Sequence, residues 1–229
     1  MNIQAIHGNF ARRTAADDIF DQLRSEIISL RLEPGTKISE VEYASQFRVS
    51  RQPVREAFIR LSKMNLLQIR PQKATLVCKI SDSEILNARF LRLAVELEVI
   101  RQACLAEGNP LESGFMSNLA AQEKALEAGE VAEFHALDYD FHNLICATAD
   151  CEFAFETIAD SKAHVDRLCL ISLTSERGMY EVYQDHQQLY QALQRKDAAE
   201  MERLTRLHIC RLDQTLAEAR QRHPEYFED

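Results

Sequence analysis

The chain has 229 residues, enough for two compact domains, and its 46% hydrophobic and 28% charged content is ordinary for a globular protein. No apolar run approaches the roughly 18–20 residues of a membrane-spanning helix, and residues 1–13 lack the apolar core of a signal peptide, so we expect a cytoplasmic protein without a membrane partner. The formal net charge of −9 excludes a protein that is basic throughout. The low number of turn-forming residues, six glycines and five prolines, favours long helices over many short strands.

The first third of the chain has short helical patterns followed by extended ones. The predicted elements are a helix over 14–30, a short helix from Ser39 to about residue 47, a helix over 51–64, and extended runs over 67–70 and 75–80. Ser50 is a good N-cap for the third helix. The side chains that recur at the spacing of one buried face in that helix are Val54, Ala57, Phe58 and Leu61. This order predicts a winged helix-turn-helix with a small β-hairpin wing.

The remainder of the chain, from Ser81 onward, has one helical pattern after another. Ser81 and Glu84 match a capping box at the first of these helices. The predicted helices cover 81–107, 112–128, 131–147, 152–173, 181–195 and 198–220, with Gly108-Asn109-Pro110 as a stop. We therefore expect a mostly α protein in three parts: an N-terminal tail (1–13), a winged helix-turn-helix domain (14–78), and an all-α antiparallel helical bundle (79–229).

Charge is divided unevenly between these parts. The tail and the winged domain together carry 12 basic and 8 acidic side chains, a balance of +4, whereas the bundle has a balance of −13.

Arg51 and Arg55 are four apart and share a helical face, with Gln52 beside them. An α-helix fits the major groove of DNA, where arginine can donate two hydrogen bonds to guanine, and Arg48 and Lys73 are suited to phosphates. The pattern alone leaves open whether these residues bind DNA or only solvate a small helical domain.

The segment Glu40–Val77, EVEYASQFRVSRQPVREAFIRLSKMNLLQIRPQKATLV, resembles the winged helix of the GntR family of transcription factors, and VSRQPVREAFIRL is similar to its recognition-helix signature. The resemblance implies a regulator, not an enzyme, that binds double-stranded operator DNA. The contacts it implies come from Ser50, Arg51, Gln52 and Arg55, with Lys73 reaching from the wing. Two positions depart from the family pattern: Ala74 stands where the wing usually has glycine, and Val41 where some relatives have a phosphate-binding arginine.

Several of the seven histidines lie at helical spacing from an aspartate. Asp138 and His142 are four apart, so both can point at one ion, and Asp160 and His164 have the same spacing. His135 lies on nearly the same helical face as His142. Most such pairs are surface residues or satisfied core groups, and spacing alone does not choose among them.

Two further segments, LDYDFHNLI (137–145) and DHQQLYQALQRKDAAEMERLTRLHI (185–209), resemble the C-terminal FCD domain of the FadR-like branch of GntR regulators. The metal ligands that this resemblance implies are Asp138, His142, His186 and His208. Three imidazoles and one carboxylate suit a divalent ion, zinc above all, with nickel or manganese as alternatives.

Arg92 matches a position of the same family that pairs with the acid group of an effector, and the alternative is an ion pair with Glu96, four residues on. The resemblance implies a homodimeric regulator, which we expect to be a repressor, whose operator binding changes when a small organic or sugar acid binds at the metal. Two other functions stay open. One is a metal-dependent enzyme in a helical bundle, since such ligands can activate water; the other is a regulator whose metal is purely structural.

Overall fold

The structure is a computed structural model that describes residues 13–70, 73–108, 111–173 and 176–228. Three parts of the expected organisation lie outside the described residues: residues 1–12 of the tail, Pro71-Gln72 of the wing turn, and Asn109-Pro110 of the first helix stop. The chain divides into two compact units. The first comprises the chain up to Ile27 together with Arg31–Cys78, and the second comprises Ile28–Leu30 together with Lys79–Asp229.

The first unit combines helices with a small antiparallel sheet. Its elements are α1 (Ala15–Ile28), β1 (Lys37–Ile38), α2 (Glu40–Phe47), α3 (Arg51–Lys63), β2 (Leu67–Gln68) and β3 (Thr75–Val77). The central strand is β3, in which Leu76 pairs with Lys37 of β1 and with Gln68 of β2. The predicted hairpin wing is confirmed as β2 and β3, although both strands are shorter than expected. The sequence does not predict β1, because a strand of two residues leaves no periodicity to detect.

Caps in this unit fix where its helices begin. Asp17 N donates to Thr14 Oγ1 at 3.2 Å while Thr14 N donates to Asp17 Oδ2 at 2.9 Å, a reciprocal cap on α1. Glu42 N donates to Ser39 Oγ at 3.2 Å at the start of α2. Ser50 is the N-cap of α3, as predicted, but makes no side-chain cap hydrogen bond. The buried residues of α3 are the four expected ones, Val54, Ala57, Phe58 and Leu61. The opposite face of α3 is thereby left to solvent.

The second unit is a bundle of helices. Its elements are α4 (Asp82–Leu105), α5 (Glu112–Ala128), α6 (Val131–Thr148), α7 (Glu152–Leu173), α8 (Glu176–Gln194), α9 (Ala198–Cys210), α10 (Leu212–Arg222) and a short 3-10 turn (Pro224–Tyr226). Connections of two or three residues join α5 to α6, α6 to α7 and α8 to α9. Such short connections place successive helices side by side and antiparallel. In the part of the chain that the structure describes, no helix is long and apolar enough to cross a membrane.

Three details of the sequence prediction for this unit are wrong. The expected helix over 198–220 is divided at Arg211 into α9 and α10, and neither glycine nor proline marks the break. The N-cap of α4 is Ser81, but its hydroxyl pairs with Ser83 Oγ at 2.9 Å and the predicted capping box does not form. The helix expected to begin at Glu181 begins at Glu176.

The interior of the bundle contains many polar side chains, which is unusual because charged groups are rarely buried without partners. Its apolar core includes the fully buried rings of Phe115, Phe134 and Phe141. The buried polar residues that lie on α4 to α9 around these rings include Arg92, Glu96, Gln122, Asp138, His142, Lys162, Asp166, Asp185, His186 and His208. Such a concentration of buried polar groups marks a candidate site.

Candidate metal centre and DNA-binding surface

Three helices bring an aspartate and three histidines together inside the bundle. Asp138 and His142 lie one turn apart on α6, His186 lies on α8, and His208 lies on α9. One ligand atom from each of the four lies within 4.8 Å of all the others. Their exposed fractions are 8%, 5%, 0% and 9%. These are the four residues that the resemblance implied, and they form one buried cluster.

The distances inside the cluster fit a small cation. His142 Nε2 lies 3.3 Å from His208 Nε2, and Asp138 Oδ1 lies 3.4 Å from His186 Nε2 and 3.8 Å from His142 Nε2. Ligands about 2.0–2.1 Å from a zinc ion in tetrahedral geometry are about 3.3 Å apart. The four residues therefore fit a divalent ion with little rearrangement.

Each of the four side chains also contacts a further polar group through the atom that points away from the cluster. His142 Nδ1 lies 3.4 Å from Glu96 Oε2, His186 Nδ1 lies 2.8 Å from Gln122 Oε1, and His208 Nδ1 lies 3.3 Å from Asp185 Oδ2. The second oxygen of Asp138, Oδ2, accepts a hydrogen bond from Lys162 Nζ. An imidazole that donates from Nδ1 presents the lone pair of Nε2. All three Nε2 lone pairs and Asp138 Oδ1 then face one another.

The protonation states inside the cluster suit metal binding. Burial lowers the pKa of each imidazole, His142, His186 and His208, below its ordinary value. Burial raises the pKa of Asp138, but the Lys162 ammonium and the imidazoles outweigh it and hold that pKa well below its ordinary value. At neutral pH the cluster therefore offers neutral imidazoles and an ionised carboxylate, the forms that bind metal ions.

Two buried nitrogens in this region have no hydrogen-bond partner among the described residues. One is His186 Nε2, which faces the cluster, and the other is Arg92 Nη2. Arg92 is 3% exposed, and its Nε donates to Glu96 Oε1 at 2.8 Å, so the alternative ion pair is present. Glu96 in turn contacts His142. Arg92 is thus connected to the cluster through one carboxylate while part of its guanidinium remains unpaired.

The other histidine and aspartate candidates lie outside the cluster. His135 Nε2 is 3.3 Å from Asp166 Oδ1, and His164 Nε2 is 3.8 Å from Glu84 Oε2. Asp160 is exposed on α7. Sequence reasoning missed Gln122, Lys162 and Asp185, and a list of polar residues at helical spacing would not have found them. Their partners lie on other helices.

The residues expected to contact DNA lie on the first unit. All six are exposed, and they are Arg48, Ser50, Arg51, Gln52, Arg55 and Lys73. Arg51 Nη2 donates to Glu40 Oε2 at 3.1 Å, an exposed ion pair of little energetic weight. Arg48 ends α2 with a left-handed backbone (φ 55°) and begins the turn before α3. Val41, where some relatives have arginine, is 58% exposed.

Comparison with known proteins supports both halves of this arrangement. Residues 15–77 match the family "Bacterial regulatory proteins, gntR family", and residues 87–211 match the FCD domain. The chain is 36% identical over 211 residues to the HTH-type transcriptional repressor RspR of Escherichia coli (strain K12), covering 92% of each chain. It is 26% identical over 185 residues to the gluconate operon transcriptional repressor of Bacillus subtilis (strain 168), covering 79% of this chain and 76% of that one.

Solved structures share the fold. E. coli McbR/YncC has a TM-score of 0.75 and 20% identity, with 93% of this chain and 100% of that chain covered. A putative GntR transcriptional regulator from Rhodococcus sp. RHA1 has a TM-score of 0.71 and 19% identity, with 88% and 97% covered. The predicted fold class is confirmed, and so is the resemblance stated from the sequence. The chain belongs to the GntR family of bacterial transcriptional regulators and carries an FCD domain after its winged helix-turn-helix.

Proposed function

We propose that this regulator is a homodimeric repressor whose affinity for operator DNA changes when a small carboxylic acid binds beside a divalent metal ion in its FCD domain. In this proposal residues 14–78 bind DNA, and residues 79–229 bind the effector and form the dimer. The observation that carries the proposal is the convergence of four buried ligand atoms within 4.8 Å of one another.

The DNA-binding half of the proposal rests on the exposed face of α3. Its apolar stripe is buried, so Arg51, Gln52 and Arg55 are free to enter the major groove. Ser50, Arg48 and Lys73 flank that face and are suited to phosphates. The relative with 36% identity is named as a repressor, which supports repression as the output here.

The metal half rests on the chemistry of the donor set. Asp138, His142, His186 and His208 present one oxygen and three nitrogens, which suits zinc and also nickel or manganese. His186 Nε2 is buried without a hydrogen-bond partner among the described residues, and a bound cation would satisfy it. When bound, the ion supplies positive charge and a coordination position for a ligand oxygen.

The charges around the cluster favour an anionic effector. Cations already pair with the buried carboxylates around the cluster: Arg92 with Glu96, Lys162 with Asp138 and Asp166, and Arg211 with Asp185. The four proposed metal ligands carry one negative charge, that of Asp138, because burial keeps the three imidazoles neutral, so a divalent ion leaves one positive charge to be balanced. A monocarboxylate would balance it, and the unpaired Nη2 of Arg92 is suited to hydrogen-bond such a group.

Dimerisation is supported by an exposed apolar stripe on α4. Leu86 and Phe90 lie one turn apart and are 48% and 75% exposed, and Leu91 beside them is 40% exposed. Exposed apolar patches of this kind mark association surfaces. A second copy of the chain fits the two-fold symmetry of the operators that helix-turn-helix dimers bind.

The test is thermal unfolding of the zinc-loaded protein against a panel of small organic and sugar acids, with a chelator as control. One acid should stabilise the protein, and the chelator and the variant His186→Gln should both abolish that effect. The same acid should then change binding to an operator selected from random DNA. If the chelator lowers the midpoint but no acid raises it, the metal is purely structural; turnover of an acid would instead favour the enzyme alternative.

A further inference from the structure

A small cavity lies beside the proposed metal ligands, between α4, α6, α7, α8 and α9. Its empty volume, counted with the open space at its mouth, is about 310 Å³. At one end its wall is formed by His142, His208 and Glu96. The rest is mainly apolar, with the lining side chains Val99, Ile100, Ile145, Cys146, Ile158 and Leu189. The cavity thus connects the metal ligands with an apolar space inside the bundle.

We infer that the effector is a short monocarboxylic acid with an apolar chain rather than a polyhydroxylated sugar acid. This inference rests on the proposed function, because it assumes that an acid binds at the metal. The carboxylate would lie at the His142 and His208 end of the cavity, and the apolar chain would lie against Ile100, Ile145 and Leu189.

The polarity of the lining is the first argument. Among the described residues that line the cavity, Thr205 supplies the hydroxyl and Glu96 the carboxylate. Burial raises the pKa of the Cys146 thiol to about 12, so this side chain is uncharged and only weakly polar. A chain with three or more hydroxyl groups would leave some of them buried without partners, which disfavours binding. An alkyl chain replaces water there without such a loss.

Size is the second argument. The lining side chains come from five helices that pack directly on one another, and the enclosed part of the cavity has room for about one water-sized group. Even a short alkyl chain therefore enters only if buried side chains move in this close-packed core, and the movement required grows with chain length, which favours a short chain over a long one.

The experiment compares two acids that share a four-carbon chain and differ only in hydroxylation. Isothermal titration of the zinc-loaded protein is done with butanoate and with 2,3,4-trihydroxybutanoate. We expect butanoate to bind about 10- to 100-fold more tightly, the range that an apolar pocket achieves against an added hydroxyl. Equal affinity, or tighter binding of the trihydroxy acid, would overturn the inference and leave the proposed function intact. Binding of neither acid, and of no other acid in the wider panel, would overturn both.

A matched pair of variants tests whether this cavity sets the preference. Val99→Thr places a hydroxyl in the lining at nearly constant shape. It should reduce the ratio of the affinities for butanoate and the trihydroxy acid by at least about threefold. Val95→Thr makes the same change on the same helix at a residue that does not line the cavity, and it should leave the difference unchanged. Equal effects of both variants, or no effect of Val99→Thr, would show that the acid lies elsewhere. Zinc content and the unfolding midpoint establish that both variants are folded.

Discussion

The Nε2 atoms of His142 and His208 lie 3.3 Å apart, although 66 positions separate these residues in the sequence. Each imidazole has its Nδ1 against a carboxylate, Glu96 for His142 and Asp185 for His208. Donation from Nδ1 to those carboxylates leaves both Nε2 lone pairs facing each other in a buried space. Without a cation between them they repel, because water does not screen the interaction. The arrangement is therefore one that a metal ion stabilises.

Replacing one of these ligands should remove that stabilisation. We expect His208→Gln to lower zinc affinity by more than about 100-fold, since even indirect partners of metal ligands contribute about 10- to 100-fold. The increase in unfolding midpoint on adding zinc should disappear with it. A competition titration against a chromogenic chelator measures the affinity. His164→Gln is the control, because His164 lies outside the cluster near Glu84, and an equal loss there would refute the assignment.

The carboxylate behind His208 should matter less than the ligand itself. Asp185→Asn keeps the shape of the side chain but weakens its hydrogen bond to His208 Nδ1, so zinc affinity should fall by about 10- to 100-fold. Glu181→Gln is a matched control, because Glu181 and Asp185 both contact Arg211. Of the two, Asp185 is the one that contacts His208 Nδ1. If both variants lose the same affinity, the effect comes from Arg211 and not from orientation of the imidazole.

Stability of the metal-free protein should depend on pH through the buried imidazoles. Burial lowers the pKa of His142, His186 and His208 in the folded chain, whereas in the unfolded chain the value is about 6.5. Below that value the unfolded chain binds more protons than the folded chain. The free energy of unfolding is therefore not reduced by these imidazoles above about pH 6.5, and it decreases as the pH falls below that value.

Urea unfolding in the presence of EDTA at pH 7.5 and pH 5.5 measures this loss. The lowered pKa of Asp185, about 2, keeps that carboxylate ionised throughout this range. His186→Gln should show a smaller loss than the wild type between the two pH values. Equal losses would mean that His186 does not contribute to the pH dependence.

The sequence predicted elements better than it predicted contacts between them. The bounds of α5 and α7 follow from amphipathic spacing and flanking turn residues, and the ion pair of Arg92 with Glu96 follows from a separation of four. In contrast, spacing could not distinguish the pair Asp138 and His142 from the pair Asp160 and His164, because in each pair the two residues are four apart and lie on one face of their helix. The deciding difference is which face the bundle buries, and that depends on packing between distant helices.

Dimerisation through α4 predicts that a charge at the centre of its stripe yields monomers. Phe90→Glu should shift the mass measured by light scattering from dimer to monomer, because it places a charge where apolar contacts are buried. Phe153→Glu is a matched control, since Phe153 is also 75% exposed but lies on α7 beside the exposed residues Glu156 and Thr157. A dimer that persists in Phe90→Glu would place the interface on another surface.

Arg51 and Lys73 should have different effects on DNA binding. If Arg51 contacts a guanine from the start of α3, Arg51→Ala costs about 1–3 kcal/mol for the selected operator and little for unrelated DNA. Lys73 lies at the wing and is suited to a phosphate, so Lys73→Ala should weaken both kinds of DNA alike. It should also reduce the dependence of log K on log salt by about 0.9. Titrations at several salt concentrations separate the two patterns.

The control is Arg203→Ala, a change at an exposed residue of α9 that pairs with Glu200. It should leave the affinity for operator DNA and for unrelated DNA unchanged. If Arg51→Ala reduced affinity equally for operator and unrelated DNA, Arg51 would be a phosphate contact, and base recognition would have to come from Gln52 or Arg55.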